Sequence, residues 1–311
     1  MAKILITESV HPIGPELLTA AGHTVVYADR DMDVIRREIV DADAVLVRII
    51  ELPGSLLATA KNLKIVSKHG VGYDNIDLDY CKKAGVAVTI TPNANSLSVA
   101  EHAFTLMLTL AKNVIPVSNE YRSIGFAAKN HAPGIEMTGK TLGLIGMGRI
   151  GKHILHMCRD GLDMHVIVYD PYITEVPAGV EKVDDLSELL RRADVVTLHC
   201  LLTEETRKLI NRERLALMKP TALLINCARG PIVDETALIE ALENGRLAGA
   251  GLDVTDPEPV APDSPLFKLP NVIVTPHYAP TTVESATRVS KIAAENINAV
   301  LAGQEPVGRI V

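Results

Sequence analysis

The chain has 311 residues, 47% of them hydrophobic but only 3% aromatic, and 31 Lys+Arg against 38 Asp+Glu give a formal net charge of −7. That length favours two domains, and the hydrophobic fraction excludes wholesale disorder. The acidic balance, with no basic run, argues against a nucleic-acid or anionic-membrane partner, since each needs a clustered positive surface.

A small anionic substrate needs only a local group of cations and stays open. With no Trp, three Phe and seven Tyr, the core must be built from Ala, Val, Ile and Leu, which suits parallel strands covered on both faces. In chain order, Lys3–Thr7 is the first predicted strand and meets a carboxylate at once, Glu8. A secretory leader needs a longer apolar region, and no segment approaches the ~20 apolar residues of a membrane span. A soluble, cytoplasmic protein is expected. Cys81, Cys158, Cys200 and Cys227 form no CxxC pair and no zinc-like spacing, so reduced thiols and no metal are expected.

Strands are further predicted at Thr24–Tyr27, Ala44–Val47, Lys64–Ser67 and Ala87–Thr91. Helical spacing separates them at Pro15–Ala21, Val34–Val40, Gly54–Ala60 and Leu78–Lys83. This alternation implies right-handed βαβ crossovers and a small doubly wound domain. From Ser98 to Asn113 runs a helix too apolar for a one-sided surface element, so it is a core helix or part of an oligomer interface. A second series follows: Thr141–Ile145, His165–Tyr169, Asp194–Cys200, Ala222–Asn226, Gly249–Leu252 and Val272–Thr275. The final helix spans about Thr282 to Leu301. Pro92-Asn93-Ala94-Asn95 is a hinge candidate.

The strongest motif is Gly146-Met147-Gly148-Arg149-Ile150-Gly151, entered from a strand and left by a helix predicted at Lys152 to Arg159. Gly146 permits the tight turn, Gly148 lets backbone approach a pyrophosphate, and Gly151 lets helix and strand pack closely. The helix start then faces the phosphates. The next strand ends at Asp170, where a carboxylate accepts from ribose hydroxyls and repels a 2′-phosphate, favouring NAD over NADP. The bland alternative for Asp170 is a turn cap before Pro171.

Ligands of open parallel sheets bind beyond the carboxyl ends of the strands. There the sequence delivers Cys227-Ala228-Arg229-Gly230, then Asp253 with Asp256 and Glu258, then Pro276-His277. Such a set suits redox chemistry on a hydroxy or keto acid. Hydride transfer to a carbonyl leaves an alkoxide that needs a proton, and His277 is the side chain here suited to supply it. Glu258 on its other ring nitrogen would fix the tautomer, and Arg229 would hold a carboxylate through paired N–H donors. His102 and His199 read as packing or hydrogen-bonding residues.

These residues resemble the D-isomer-specific 2-hydroxyacid dehydrogenases, the phosphoglycerate dehydrogenase-like family. The resemblance covers essentially the whole chain. It runs from His69-Gly70-Val71-Gly72-Tyr73-Asp74-Asn75-Ile76-Asp77 and Ser98-Val99-Ala100-Glu101-His102 through the glycine turn, Leu198-His199-Cys200, Asn226-Cys227-Ala228-Arg229-Gly230 and Gly251-Leu252-Asp253-Val254 to Thr275-Pro276-His277. It implies an α/β protein of two doubly wound parallel-sheet domains, a Rossmann cofactor domain inserted into a flavodoxin-like substrate domain. The implied division is 1–97 and 282–311 for the substrate domain, 98–281 for the NAD domain.

The resemblance also implies that Arg229, Glu258 and His277 are the catalytic residues. NAD contacts are implied at Gly146, Gly148, Arg149, Ile150, Gly151, Asp170, Cys200, Cys227, Ala228, Arg229 and His277, with Asp253 facing the nicotinamide. It implies that Gly70-Val71-Gly72 offers N–H groups to a substrate carboxylate, and that the Val99 helix makes a homodimer contact. Family members usually have proline where Leu201 stands, a tryptophan within the Ser123–Asn130 segment, and a small-residue turn in place of Tyr278-Ala279-Pro280. The chain stops at Val311, so a C-terminal regulatory domain is not expected.

Arg48 and Lys68 end first-domain strands and would face the cleft. With Arg229 they point to a substrate carrying a second anionic group, 3-phosphoglycerate or a sulfolactate-like acid. The bland alternative is that they bind carboxylates or water. Hydroxypyruvate, glyoxylate and D-lactate-type acids are the alternative substrates. A reading from another class is an NAD-sensing binding protein like the C-terminal-binding-protein corepressors.

Overall fold

Short strands of Ala, Val, Ile and Leu that bury both faces must pair in parallel beneath two layers of helices, and this chain does so twice. The computed structural model describes residues 1–311 as two units, Met1–Asn95 with Pro280–Val311, and Ser96–Ala279. The first unit begins β1 (Lys3–Ile6), α1 (Ile13–Ala20), β2 (Thr24–Tyr27), α2 (Met32–Glu38), β3 (Ala44–Val47), α3 (Gly54–Leu57), β4 (Ile65–Lys68), α4 (Leu78–Ala84) and β5 (Ala87–Thr89). The second runs α5 (Ser96–Ala111), α6 (Val114–Ile124), β6 (Thr141–Ile145), α7 (Arg149–Leu162), β7 (His165–Tyr169), β8 (Val180–Lys182) and α8 (Leu186–Arg192). It continues β9 (Val195–Leu198), α9 (Arg212–Leu215), β10 (Leu223–Asn226), α10 (Glu235–Glu243), β11 (Gly249–Leu252) and β12 (Val272–Val274). The last helix, α11 (Val283–Leu301), belongs to the first unit.

The first sheet has the order β2-β1-β3-β4-β5, every pair parallel. This is the flavodoxin-like arrangement, with its switch point between β1 and β3. Side chains alternate between its faces. Ile4, Ile6, Leu46 and Ile65 pack with Leu18, Ala293, Ala294 and Ile297, whereas Leu5, Val45, Val47 and Val66 pack with Ile35, Leu57 and Cys81. Each fully buried Ile or Leu contributes about 1.5–3 kcal/mol. Small residues bring α11 close to β4, where the Ser67 hydroxyl donates to the Ala293 carbonyl at 3.0 Å. Asn296, 2% exposed, donates to the Ile90 carbonyl and accepts from the Val307 N–H, tying the C-terminal segment to the end of β5.

The second sheet has the order β12-β11-β10-β9-β6-β7-β8. Counted from β6, that is the doubly wound dinucleotide order 3-2-1-4-5-6 with a seventh strand at the far edge. One face, with Leu142, Leu144, Val166, Val168 and Ile225, packs on α5 and α7 through Ala103, Leu106, Met107, Ile154 and Cys158. The other, with Ile167, Val196 and Leu224, packs on Leu189 and Leu190 of α8 and Leu238 and Leu242 of α10.

Besides α8, α9 and α10, the crossover helices that strand–helix alternation implies without placing, two elements go beyond those expected from the sequence. β8 is an edge strand of three residues, Val-Glu-Lys, and shows no apolar run. It is defined by its pairing with β7 alone. The second is α6, which buries none of its residues. No helix of the chain is long and apolar enough to cross a membrane.

Candidate active site in the second unit

β6 stops at Ile145 and α7 starts at Arg149, so the connection is a three-residue turn. Gly146 has φ +90°, and a Cβ there would lie 2.8 Å from the backbone of His199 and Cys200 at the end of β9. The position therefore takes only glycine. At Gly148 a Cβ would meet nothing within 4 Å, and no side chain caps the start of α7. The first N–H groups of that helix are thus left for an external acceptor, beside an open backbone cradle. These features fit a pyrophosphate, and Gly146, Gly148, Arg149, Ile150 and Gly151 are the residues that would hold it.

Asp170 follows β7 and ties it to the turn: one carboxylate oxygen accepts the Met147 N–H at 2.9 Å, the other the Tyr172 N–H at 3.0 Å. The Tyr172 hydroxyl in turn donates to Glu205 at 3.2 Å. Repulsion from the Glu205 carboxylate, with a smaller contribution from Asp170, raises the phenol's pKa above its ordinary value. The Asp170 carboxylate therefore stands at the turn itself. Cys200 and Cys227 lie just beyond the ends of β9 and β10. Burial pushes the Cys200 thiol up to about 11 and the Cys227 thiol well above its ordinary range, so neither is a thiolate nucleophile at neutral pH.

Arg229 is delivered by a turn that one buried amide organises. Asn226, 1% exposed, accepts the Ala228 N–H at 3.0 Å and donates to the Arg229 carbonyl at 2.9 Å. A Cβ at Gly230 would lie 1.9 Å from the Thr255 carbonyl oxygen, so this backbone runs directly against the segment leading to Glu258. That segment is pinned by Thr255 Oγ1 on the Pro257 carbonyl at 2.8 Å and by the Asp256 N–H on Glu235 at 3.0 Å. Burial raises the Glu235 carboxyl above its usual range.

Glu258 meets His277 at 2.6 Å, Oε1 to Nδ1, with both side chains about one-third exposed. A carboxylate at that distance fixes the proton on Nδ1 and steadies the imidazolium, which directs Nε2 to outside chemistry. His277 has φ +52°, a left-handed conformation that costs a non-glycine residue about 1–2 kcal/mol. Its N–H donates to the Asp253 carbonyl at 2.8 Å.

Asp253 is 1% exposed. Its Oδ1 accepts from Thr275 Oγ1 at 2.5 Å and from the Tyr278 N–H at 2.7 Å, while Oδ2 accepts the Ala279 N–H at 2.9 Å. Where the resemblance implied a carboxylate facing the nicotinamide, the geometry has it buried beneath the His277 turn. His199 is buried, which lowers its ring to about 3, and its Nε2 meets Thr197. It is a neutral packing residue, as expected from the sequence.

In the first unit, Lys68 is 7% exposed and its ammonium bonds to Asn75 Oδ1 at 2.6 Å and to the Arg48 carbonyl. Lys68 thus supports the turn after β3 from within. Arg48 donates through Nη1 to the Ser9 carbonyl at 3.1 Å. Its backbone, with that of Ile49, is held by the buried Glu8 carboxylate at 2.7 and 2.9 Å. Gly70 has φ +144°, and its carbonyl accepts from Thr91 N at 2.9 Å. The N–H groups of Val71 and Gly72 donate to no group of the protein.

Asn226 and Thr275 organise the site without having stood out in the sequence. Each lies inside a quoted motif, yet nothing in spacing distinguishes an organising amide or hydroxyl from a strand-end residue.

Residues 104–279 match the family described as "D-isomer specific 2-hydroxyacid dehydrogenase, NAD binding domain". The chain is 42% identical over 308 residues to the D-3-phosphoglycerate dehydrogenase of Methanocaldococcus jannaschii, covering 98% of this chain and 58% of that one. It therefore spans little more than half the length of that relative. It is 37% identical to the glyoxylate reductase of Thermofilum pendens, covering 98% of this chain and 93% of that one. A crystal structure of a Thermus thermophilus protein superimposes with a TM-score of 0.93 at 35% identity, covering 99% and 100% of the two chains.

Proposed function

The chain belongs to the D-isomer-specific 2-hydroxyacid dehydrogenase family, and on that premise we propose that it interconverts a D-2-hydroxy acid and its 2-oxo acid. The observation that carries the proposal is the 2.6 Å Glu258–His277 pair on a strained turn of the sheet that also bears the glycine turn. Bound NAD supplies the hydride acceptor or donor. His277 holds the exchanged proton at Nε2, releasing it toward the carbonyl oxygen in reduction and taking it back in oxidation. Glu258 keeps that ring oriented, and Arg229 binds the acid's carboxylate and polarises the carbonyl through its N–H donors. Asp253 is reassigned from nicotinamide contact to support of the His277 turn.

NAD is the proposed cofactor, because Asp170, bonded to the glycine turn at the end of β7, places negative charge where a 2′-phosphate would sit. Asp170→Ser is expected to raise kcat/KM with NADPH by about tenfold or more while lowering it with NADH. Steady-state kinetics with both nucleotides check this; unchanged selectivity would remove Asp170 as its cause.

For substrate contacts in the first unit we assign Arg48, the N–H groups of Val71 and Gly72, and a supporting role for Lys68. Arg48 favours an acid with a second anionic group, such as 3-phosphoglycerate or a sulfolactate-like compound. A second reading, a hydroxypyruvate or glyoxylate reductase, is favoured by the commitment of Lys68 to Asn75 and the Arg48 carbonyl. It also draws on the match to a glyoxylate reductase along 93% of that relative's length. The test is NADH oxidation against phosphohydroxypyruvate, sulfopyruvate, hydroxypyruvate, glyoxylate and pyruvate. Tight NADH binding with no turnover across that panel would favour an NAD-sensing binding protein.

A homodimer is also proposed, with its contact on α6 rather than on the apolar helix α5. The α5 helix packs its buried residues, among them Ala103, Leu106 and Met107, into the core of its own unit. On α6 and the residues after it, Val114, Ile115, Tyr121, Ile124 and Phe126 are each 44–74% exposed. An 11-residue helix that buries nothing lacks the packing that normally stabilises such a short element, and a second copy of the chain would provide it. Tyr121→Glu with Phe126→Glu is expected to convert dimer to monomer in light scattering. A double variant that stays dimeric would rule out this surface.

A further inference from the structure

Resting on the oxidoreductase reading, we infer that His102 and Thr275 are positioning residues for His277 and act on it through the buried Asp253 carboxylate. Proton accounting gives the direction of the chain. A carboxylate only accepts, so at 2.5 Å the single Thr275 hydroxyl proton goes to Asp253 Oδ1. His102 Nε2 lies 3.0 Å from the same hydroxyl oxygen, which has no second proton to give. His102 therefore carries hydrogen on Nε2 and donates it to Thr275. The same nitrogen lies 3.5 Å from Asp253 Oδ1.

Downstream, Asp253 holds three successive backbone N–H groups. Its carbonyl takes that of His277, Oδ1 that of Tyr278 and Oδ2 that of Ala279. A left-handed histidine is held by surroundings that over-determine it, and here these three bonds do so together with the Thr275 carbonyl, which shares the His277 N–H at 3.0 Å. The Asp253 carboxylate thus fixes the chain immediately after His277 through Tyr278 and Ala279, the His277 N–H itself being shared between the Asp253 and Thr275 carbonyls. Thr275 sets the carboxylate's orientation. His102 fixes the Thr275 hydroxyl in turn. It stands on α5, whose other face is locked into the core, and its ring meets Tyr278 edge-on at 6.2 Å and 63°. The turn that carries the proton donor is in this way referenced to a rigid helix. General acids gain from such fixed placement, because about 1 Å of misplacement costs about 100-fold in rate.

Isosteric replacements test the chain. Thr275→Val keeps the shape and removes the hydroxyl, whereas Thr275→Ser keeps the hydroxyl; His102→Leu removes the donor. The structural readout is amide hydrogen–deuterium exchange of the peptide spanning residues 275–282, with peptides of β6 and α7 as references. Thr275→Val and His102→Leu are expected to accelerate exchange there by about tenfold or more, with the reference peptides unchanged. They are expected to lower kcat by about 10–100-fold at unchanged NADH affinity, while Thr275→Ser stays near wild type.

Equal exchange in the Val and Ser variants, or acceleration spread over the reference peptides, would overturn the inference. If the wild-type protein reduces no 2-oxo acid yet the exchange pattern separates Val from Ser, the oxidoreductase reading falls and the positioning chain stands.

Discussion

Replacing His277 by alanine is expected to slow 2-oxo acid reduction by about 10²–10⁴-fold while NADH binds about as tightly as before. The expectation follows from where the ring is held. Nδ1 is committed to Glu258 at 2.6 Å, so the proton that leaves the ring leaves from Nε2, and no other imidazole stands on this turn. Glu258→Gln is expected to cost less, because an amide still holds the ring but cannot steady its charged form. Nucleotide affinity is the control, since the glycine turn lies at the end of β6 and the histidine after β12. NADH titration and steady-state kinetics on the same preparations check both halves. Turnover unchanged in His277→Ala would remove this residue from the mechanism.

The second large effect is expected at Gly146. Alanine there would have to adopt φ +90° and place a methyl group 2.8 Å from backbone atoms of His199 and Cys200. Those atoms end a central strand, β9, which pairs with both β6 and β10, so they cannot yield as a flexible side chain would. Overpacking of this kind costs about 1–3 kcal/mol, which in a unit of this size lowers Tm by about 2–12 °C. The displaced turn also moves the Met147 N–H away from Asp170 and misaligns the start of α7. NADH affinity is expected to fall by about 5–150-fold, the same free energy read as binding. Calorimetric titration and thermal unfolding of Gly146→Ala measure the two consequences separately. Wild-type affinity in a folded Gly146→Ala protein would show that the turn does not hold the cofactor.

Much of the fold was legible in the sequence because it depends on period and punctuation. Strands buried on both faces read as short apolar runs, and β3 and β6 lie where those runs do. β8 does not, since a three-residue edge strand with an exposed glutamate is made by its neighbour. The residues proposed for the chemistry stood out for a related reason: strand ends of a parallel sheet are where ligands bind, so Arg229, Glu258 and His277 were candidates by position, and the structure pairs Glu258 with His277. What spacing could not reveal is which polar groups face inward. Asp253 and Lys68 are, as letters, indistinguishable from ligand contacts. Both are buried, and only the three-dimensional accounting of their partners shows that they hold backbone in place. Thr275 and Asn226 were hidden likewise, because short polar side chains at strand ends are common and few organise a turn. The α5 helix was read correctly as apolar, but its composition could not say whether the covering surface came from its own unit or from another copy.

The most direct test of the central claim is a single-turnover reaction with NADH deuterated at the transferable position of the nicotinamide. Enzyme and labelled NADH are mixed with each 2-oxo acid of the panel, and the product is analysed by mass spectrometry and chiral chromatography. Hydride transfer by this chain is expected to give a 2-hydroxy acid carrying one deuterium at C2, the D-isomer for every product other than glycolate, with stoichiometric loss of NADH absorbance. No oxidation with any acid of the panel, or label appearing in the L-isomer, would contradict it.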